Sequence, residues 1–465
     1  MQFTRAIAHL FDFAPSGRKL PRPDSTGGGA AETGASAAAG QAGIYVRGLL
    51  EARSGDRNLE DSAETVPGAD HQRIHTFITD TPWNEEAVLG WVSTQADGML
   101  GGAPQSHLII DESGFSKKGA SSAGVARQYN GRIGKVDNCQ VGVFAALAAG
   151  RRVTLVEGRL YLPQEWCESP ARCASARIPV EQRGFKSKAQ IALEMVRAQR
   201  ARNVRFNRVS IDGGYGQDPG FLRALEADGE TFVADVHSHQ RIWLEDPKPA
   251  ASQIPTGRRQ SAKPQAFSAG EEVRDWAARQ SAQDWIGFKR RAGINGALRG
   301  EFLHRRIWLW DGEEEMARCW HLLVWRPEEN PQEIKYVLSN AAADLAVLDL
   351  ARMACSRFWV ERALQDAKGA VGMGEYQLRS WVGWHRHMAM VMLAMFFMLQ
   401  QKILLADELP LLSAEDIAWA IEHFLPRAYA TEQDVQKALA RRHRRRQADI
   451  DSRKRRIEPR LADIL

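Results

Sequence analysis

Two acidic residues stand at equivalent points of the chain. Asp111 ends the apolar run "LIID" and is followed by "ESG"; Asp212 ends "VSID" and is followed by "GGYG". Short apolar runs bounded by turn residues read as buried strands, so each carboxylate is expected where a strand gives way to a turn. Adjacent strand ends can bring two carboxylates onto one hard cation such as Mg²⁺, which takes one or two carboxylates together with water and substrate phosphate. Taken singly, each Asp also reads as a turn residue bonding its own backbone. A third carboxylate is available in "RFWVERALQDAKG". Glu361 and Lys368 are seven residues apart, nearly on one helical face, and Arg357 lies close to the same stripe. That stripe is either a surface ion-pair ladder or, with Phe358, Trp359, Ala363 and Leu364 crowding it, a half-buried face where a carboxylate and cations meet a metal and a phosphate.

The elements that must position these residues follow from pattern. "HLIID", "NCQVGVFAAL", "RRVTLVEGRLYLP", "RVSID" and "TFVADV" read as strands, the second and third joined by the turn "AAGRR". "SKAQIALEMVRAQRAR" and "PGFLRALEADG" read as helices, the latter with Pro near its start and Gly past its end. Strands alternating with helices predict a mixed α/β sheet. Before it, residues 44–100 carry apolar residues at three and four spacing and predict a helical domain. Asp80 or Thr81 is the expected cap of a helix beginning near Trp83. Residues 1–43 end in the Gly/Ala-rich run "DSTGGGAAETGASAAAGQAG", expected to be a flexible linker. Residues 241–340 are broken by Pro, Gly and Gln and hold β-like runs such as "FLHRRIWLW", predicting a β-rich insertion. "LAVLDLARMACSRFWVERALQDAKGAVG" then predicts one long helix, and 406–465 a helical region with a basic tail.

With 465 residues, two or three domains are expected at ~150 residues each. Hydrophobic content of 44% and charged content of 26% place the chain among soluble globular proteins. The net charge is +5, and between Arg441 and Arg460 ten Lys or Arg face three acids. That tail, with Arg441, Arg442, Arg444, Arg445 and Arg446, is either a phosphate-contacting arm or a solvated helix face. Five cysteines at 139, 167, 173, 319 and 355 form no CxxC pair. They point to free thiols in a reducing, cytoplasmic compartment. His9 and Asp12 interrupt the N-terminal apolar run, against a signal peptide. The apolar Met388–Leu399 run is shorter than the ~20 residues of a membrane helix and reads as a buried core helix, so no membrane partner is expected.

The motifs "RNLEDSAE", "DESGFSKKG", "GVARQYNGRIGKVDNCQVGVF", "IDGGYG", "YVLSNA" and "ERALQDAKGAVGMGEYQLRSWVGWHRHMAM" occur in this order between about 44 and 405. In them the chain resembles the bacterial insertion-sequence transposases of the DDE class, in particular the insertion sequence 701 family. The resemblance implies a ribonuclease-H-like core, residues 101–240 and 341–405, with a β-rich insertion before the last catalytic helix. It implies Asp111, Asp212 and Glu361 as a catalytic triad and, through the Y-R-E-K signature, Arg357 and Lys368 as DNA contacts. The tyrosine of that signature falls on Ala354, a departure. The implied activity is Mg²⁺-dependent DNA cleavage at transposon ends and strand transfer, with Mn²⁺ able to substitute. Two metals held by three carboxylates would serve both ends of an in-line displacement. The implied partner is double-stranded DNA, with a homodimer holding two terminal inverted repeats, the protein being nucleoid-associated when bound. A ribonuclease-H-fold nuclease, or a domesticated DNA-binding protein that no longer transposes, are the alternatives.

Lys117, Lys118, Arg127 and Lys135 are candidates to line the DNA approach, or plain solubilising charge. His385 and His387, at i and i+2, do not share a helical face and suit packing or DNA contact better than a metal. His237 and His239 share a strand face, without further ligands in view.

Overall fold

The computed structural model describes residues 30–52, 57, 59–249, 266, 268–293, 296–425 and, discontinuously, parts of 431–451. Among these the chain divides into two units: 1–83 with 366–377 and 400–465, and 84–365 with 378–399.

The first unit is helical. It contains α1 (Ala30–Glu51), α2 (Leu59–Thr65) and α3 (His71–Thr79). The Gly/Ala-rich run expected to be a linker is therefore helical from Ala30 onward. Six of residues 30–39 are alanine, the strongest helix former, and this outweighs the single Gly34. α1 and α2 approach closely because Gly48 faces Ser62: a Cβ at Gly48 would lie 2.5 Å from the Ser62 hydroxyl. Asp70 caps α3 by accepting from the Arg73 N–H. In the same unit the buried Arg57, from "RNLEDSAE", donates to the Gly369 carbonyl at 2.7 Å and pairs with Glu375 at 3.3 Å.

The second unit opens with α4 (Glu85–Leu100). Its cap is Asn84, accepting from the N–H groups of Glu86 and Ala87, rather than Asp80 or Thr81. The strands are β1 (His107–Ser116), β2 (Ala126–Asn130), β3 (Lys135–Ala149) and β4 (Arg152–Leu160). After the short helices α5 (Gln164–Cys167) and α6 (Pro170–Ser175) comes α7 (Lys188–Ala201), started by a reciprocal Ser187–Gln190 capping box. Next are β5 (Val209–Ile211), α8 (Gly213–Gly216), α9 (Pro219–Ala227) and β6 (Phe232–Val236). The segment that follows holds β7 (Arg241–Ile242), β8 (Glu271–Glu272), α10 (Val273–Ala278), β9 (Ile286–Gly293), β10 (Gly296–Leu309), β11 (Arg318–Pro327) and β12 (Lys335–Ser339).

Ten strands form one mixed sheet in the order β2-β3-β1-β5-β6-β12-β11-β10-β9, with β4 paired to β3. Among the described strands, only β1–β5 and β5–β6 pair in parallel. Together with its flanking helices this is a ribonuclease-H-like α/β fold. The strands of 286–339 continue the central sheet, because β12 pairs antiparallel with β6. The chain then forms α11 (Val347–Cys355) and α12 (Phe358–Val371), two helices where one was expected. The break falls at Ser356, whose hydroxyl and N–H both bond the Met353 carbonyl and so compete with the helical pattern. α13 (Trp381–Leu404) and α14 (Ala414–Phe424) complete the order.

α13 is long and apolar enough to cross a membrane, but 78% of its apolar window is buried inside the protein. Met388–Leu399 is buried throughout, as expected of a core helix. Trp384 packs beside Phe144 of β3, ring centroids 6.1 Å apart. Two glycines make room for this pair. A Cβ at Gly142 would stand 2.7 Å from Phe144 and 2.9 Å from Trp384; one at Gly158 would stand 2.7 Å from Phe144 and 2.8 Å from Met392. Gly142→Ala should therefore destabilise the protein by about 1–3 kcal/mol through overpacking. A thermal or urea melt checks this, and an unchanged midpoint would show that the packing can relax.

Candidate active site

The register of the parallel strands builds the site. Ile110 lies opposite Ile211, and Ile211 opposite Ala234. One residue further on, Asp111, Asp212 and Asp235 come level across three neighbouring strands. Strands are ~4.8 Å apart, so the outer two backbones are separated by roughly 10 Å.

Asp111 does not end its strand, as the sequence suggested. β1 continues to Ser116 because β3 pairs with it antiparallel over its whole length. The parallel neighbour β5 stops at Ile211, so Asp111 marks the end of the parallel part of the sheet rather than of the strand. Asp212 is the N-cap of α8, its Oδ1 accepting from Gly214 N–H at 3.0 Å and Tyr215 N–H at 3.3 Å. The turn-capping and strand-end readings of this residue thus coexist. The "GGYG" spacing has a steric reason at its last position: a Cβ on Gly216 would lie 1.9 Å from the Asp235 carbonyl oxygen. Only glycine lets α8 close onto the end of β6.

Arg357, in the break between α11 and α12, joins the carboxylates. Its Nε donates to Asp235 Oδ2 at 2.9 Å, Nη1 to Asp111 Oδ2 at 3.2 Å and Nη2 to Glu361 Oε1 at 3.0 Å. Glu361 sits in the first turn of α12 with its side chain 54% exposed, whereas Asp111 is 13% exposed. Burial pulls the Arg357 pKa down, but Asp235, Asp111, Glu361 and Asp212 outweigh it and leave the guanidinium firmly charged. The Asp111 pKa is raised to about 7, because burial, helped by the nearby Asp212, outweighs the downward pull of Arg357. Asp235 is likewise raised by burial against the pull of Arg357.

Three carboxylates therefore share one guanidinium, with Asp212 close enough to act on its charge. The donor set is oxygen only, which suits a hard divalent cation, and the surplus negative charge would be relieved by one. Among the described residues, however, no three His, Cys, Asp or Glu are grouped closely enough to close on an ion; Arg357 occupies the centre.

Asp235 was not among the candidates, although "FVAD" repeats the apolar-run-then-Asp pattern of "LIID" and "VSID". Ala354, at the place of the signature tyrosine, is buried in a core with Phe302, Trp325 and Leu350. A tyrosine ring there would have to displace that core. Lys117 is half-buried and its amine is lowered to about 8 by burial, while Lys118, Arg127 and Lys135 are exposed. Arg127 and Lys135 belong to the β2–β3 hairpin. Lys368 lies in the last turn of α12, within the first unit, so the helix alone describes its place. Arg444 and Arg446 are exposed in helical turns; Arg441, Arg442 and Arg445 lie outside the described residues. His385 is a packing residue: its ring lies tilted against Trp381, centroids 4.4 Å apart, and burial lowers its pKa to about 4. His237 and His239 stack on one another at 5.4 Å. His237 also approaches Gly213, next to Asp212.

An array of carboxylates on parallel strands, bridged to a helical Glu through one guanidinium, lies within a ribonuclease-H-like sheet. The model of the DDE superfamily endonucleases matches residues 32–292, more than half of the chain, and the protein belongs to that family. It is similar to the probable transposase for insertion sequence element IS701 of Microchaete diplosiphon, with 22% identity over 325 residues, 69% of this chain and 72% of the relative. Against the NurA nuclease of Sulfolobus solfataricus, the identity is 8% over 57% of this chain and 79% of that one, with a TM-score of 0.24, too low to bear on the fold.

Because the folded Asp111 pKa lies above the ordinary 3.8, ionising it opposes folding. The penalty begins near pH 4, grows as pH rises to about 7 and is constant above, amounting to on the order of a few kcal/mol. In metal-free protein Asp111→Asn should accordingly raise the melting temperature at pH 8, with the gain fading towards pH 4. Melts across this range test it; a gain independent of pH would place the Asp111 pKa near its ordinary value.

Proposed function

We propose that this protein is a transposase that cuts DNA at the ends of an insertion sequence and transfers the freed 3′ ends into target DNA. Asp111, Asp212 and Glu361 are the triad in this reading, and Mg²⁺, replaceable by Mn²⁺, is the cofactor. The observation that carries it is the meeting of Asp111 and Glu361 on Arg357 beside the strand-end Asp212. Family membership and the similarity to an insertion-sequence transposase support it.

When bound, divalent cations would activate water or a 3′-hydroxyl and stabilise the leaving oxygen. Asp111, Asp212 and Glu361 would hold them through carboxylate oxygens. Arg357 presents a planar fork suited to a phosphate once its carboxylate partners turn to a cation. Lys368 would reach the same strand as a point charge. Lys117, Lys118, Arg127 and Lys135 and the arginines of 441–446 would contact backbone phosphates, which fix position without reading sequence. The substrates are double-stranded terminal repeats and target DNA, paired by a homodimer in the cytoplasm. Residues 44–100 would serve as a DNA-binding domain and residues 101–240 with 341–405 as the catalytic core, with 241–340 as insertion and 406–465 as basic arm.

Asp111→Asn, Asp212→Asn and Glu361→Gln should each lower cleavage of cognate ends by more than the roughly 10–100-fold that an outer-shell partner costs, while DNA binding persists in a mobility-shift assay. Near-normal cleavage by any one removes that residue from the triad. Cleavage by wild-type protein without strand transfer would mark a nuclease; binding alone would mark a non-catalytic descendant.

An ammonium offers donors only and cannot ligate a cation while charged. Lys368→Ala should thus keep the metal affinity of the wild type yet slow strand transfer. Transfer at the normal rate, or collapse of metal binding, would make Lys368 a structural residue.

A further inference from the structure

We infer that Asp235 is a positioning residue that keeps Arg357 beside the site when divalent cations claim Asp111 and Glu361. The inference rests on the metal-binding role proposed above for those two carboxylates, and it concerns a residue outside the triad.

The three contacts of Arg357 differ in kind. Nη1 and Nη2 hold Asp111 and Glu361, both candidate cation ligands, at 3.2 and 3.0 Å. Nε holds Asp235, the residue one strand beyond Asp212, at 2.9 Å. A cation drawing in the oxygens of Asp111 and Glu361 competes with both terminal nitrogens for them. It leaves the Nε contact in place, because Asp235 lies on the far side of Asp212. Arg357 then stays fixed at one corner with its two terminal nitrogens turned outward, the fork geometry that matches a phosphate. Without Asp235, the guanidinium would lose its third partner and rest its full charge on Asp111 and Glu361, where it opposes the incoming cation. Asp235 is itself rigidly placed: β6 is paired on both edges, to β5 and to β12, and Gly216 packs against the Asp235 carbonyl.

The test is Mn²⁺ binding to the full chain without DNA, read by electron paramagnetic resonance or calorimetry. Wild-type protein should bind, and Asp111→Asn should not. Asp235→Asn should bind at least about tenfold more weakly, as an uncompensated neighbouring cation requires. Asp235→Asn combined with Arg357→Gln should regain the affinity of Arg357→Gln alone, since the competing charge is gone. If the double variant stays weak, Asp235 is itself a ligand and the positioning role is wrong. If Asp235→Asn binds like the wild type, the role is also wrong. Binding that ignores Asp111→Asn would instead overturn the metal site on which the inference rests. Should Asp235→Asn fail to fold, a wild-type structure with Mn²⁺ gives the same decision. Arg357 Nε should remain on Asp235 while Nη1 and Nη2 have left Asp111 and Glu361; departure from Asp235 refutes the inference.

Discussion

A single guanidinium organises this site. Carboxylates held level across neighbouring strands repel one another, and burial of Asp111 makes the repulsion worse. Arg357 offsets it by bonding Asp111 and Asp235 together with the helical Glu361, something a point-charged lysine could not do with the same geometry. Its backbone lies in the short break between α11 and α12. Had the two helices run on as one, the side chain would leave a different face. The break made by Ser356 is therefore as much a part of the site as the carboxylates.

The sheet supplies the rest. Parallel pairing of β1, β5 and β6 fixes which residues come level, and a shift of one residue in any strand would turn its Asp to the opposite face. Helix-start chemistry ties the middle carboxylate down, since Asp212 spends one oxygen on the N–H groups of Gly214 and Tyr215. The outer carboxylates are left to the guanidinium. Division of labour among three similar residues thus follows from their place in the sheet, not from their chemistry.

Much of this could be read from residue order. Apolar runs ending in Asp marked two of the three carboxylates that come level, although Asp111 proved to lie within its strand, and helical spacing linked Arg357 to Glu361. Asp235 carries the same mark, but "TFVADV" continues with an apolar Val236 and so reads as an uninterrupted strand; only the register with β5 shows that its Asp is level with the others. The long helix expected across 345–372 is two, because a serine hydroxyl bonding back to a carbonyl leaves no periodic signature. Nor could pattern show that β12 joins the central sheet, since strand partners distant in sequence are chosen by tertiary packing. At Ala30–Ala39 the glycines suggested a linker where the alanines, more numerous, made a helix.

The pairing of β6 with β12 has a consequence for how the protein is made. Val236 and Tyr336 are partners across an excursion of a hundred residues, so the strand bearing Asp235 gains its second neighbour only after that whole segment has been synthesised and its ends brought together. Closing long excursions is slow relative to forming the local β3–β4 hairpin. Arg357 and Glu361 come later still in the chain. A ribosome-bound nascent chain therefore holds Asp111 and Asp212 without their partners, and the carboxylate–guanidinium cluster assembles only once residues 335–361 have emerged.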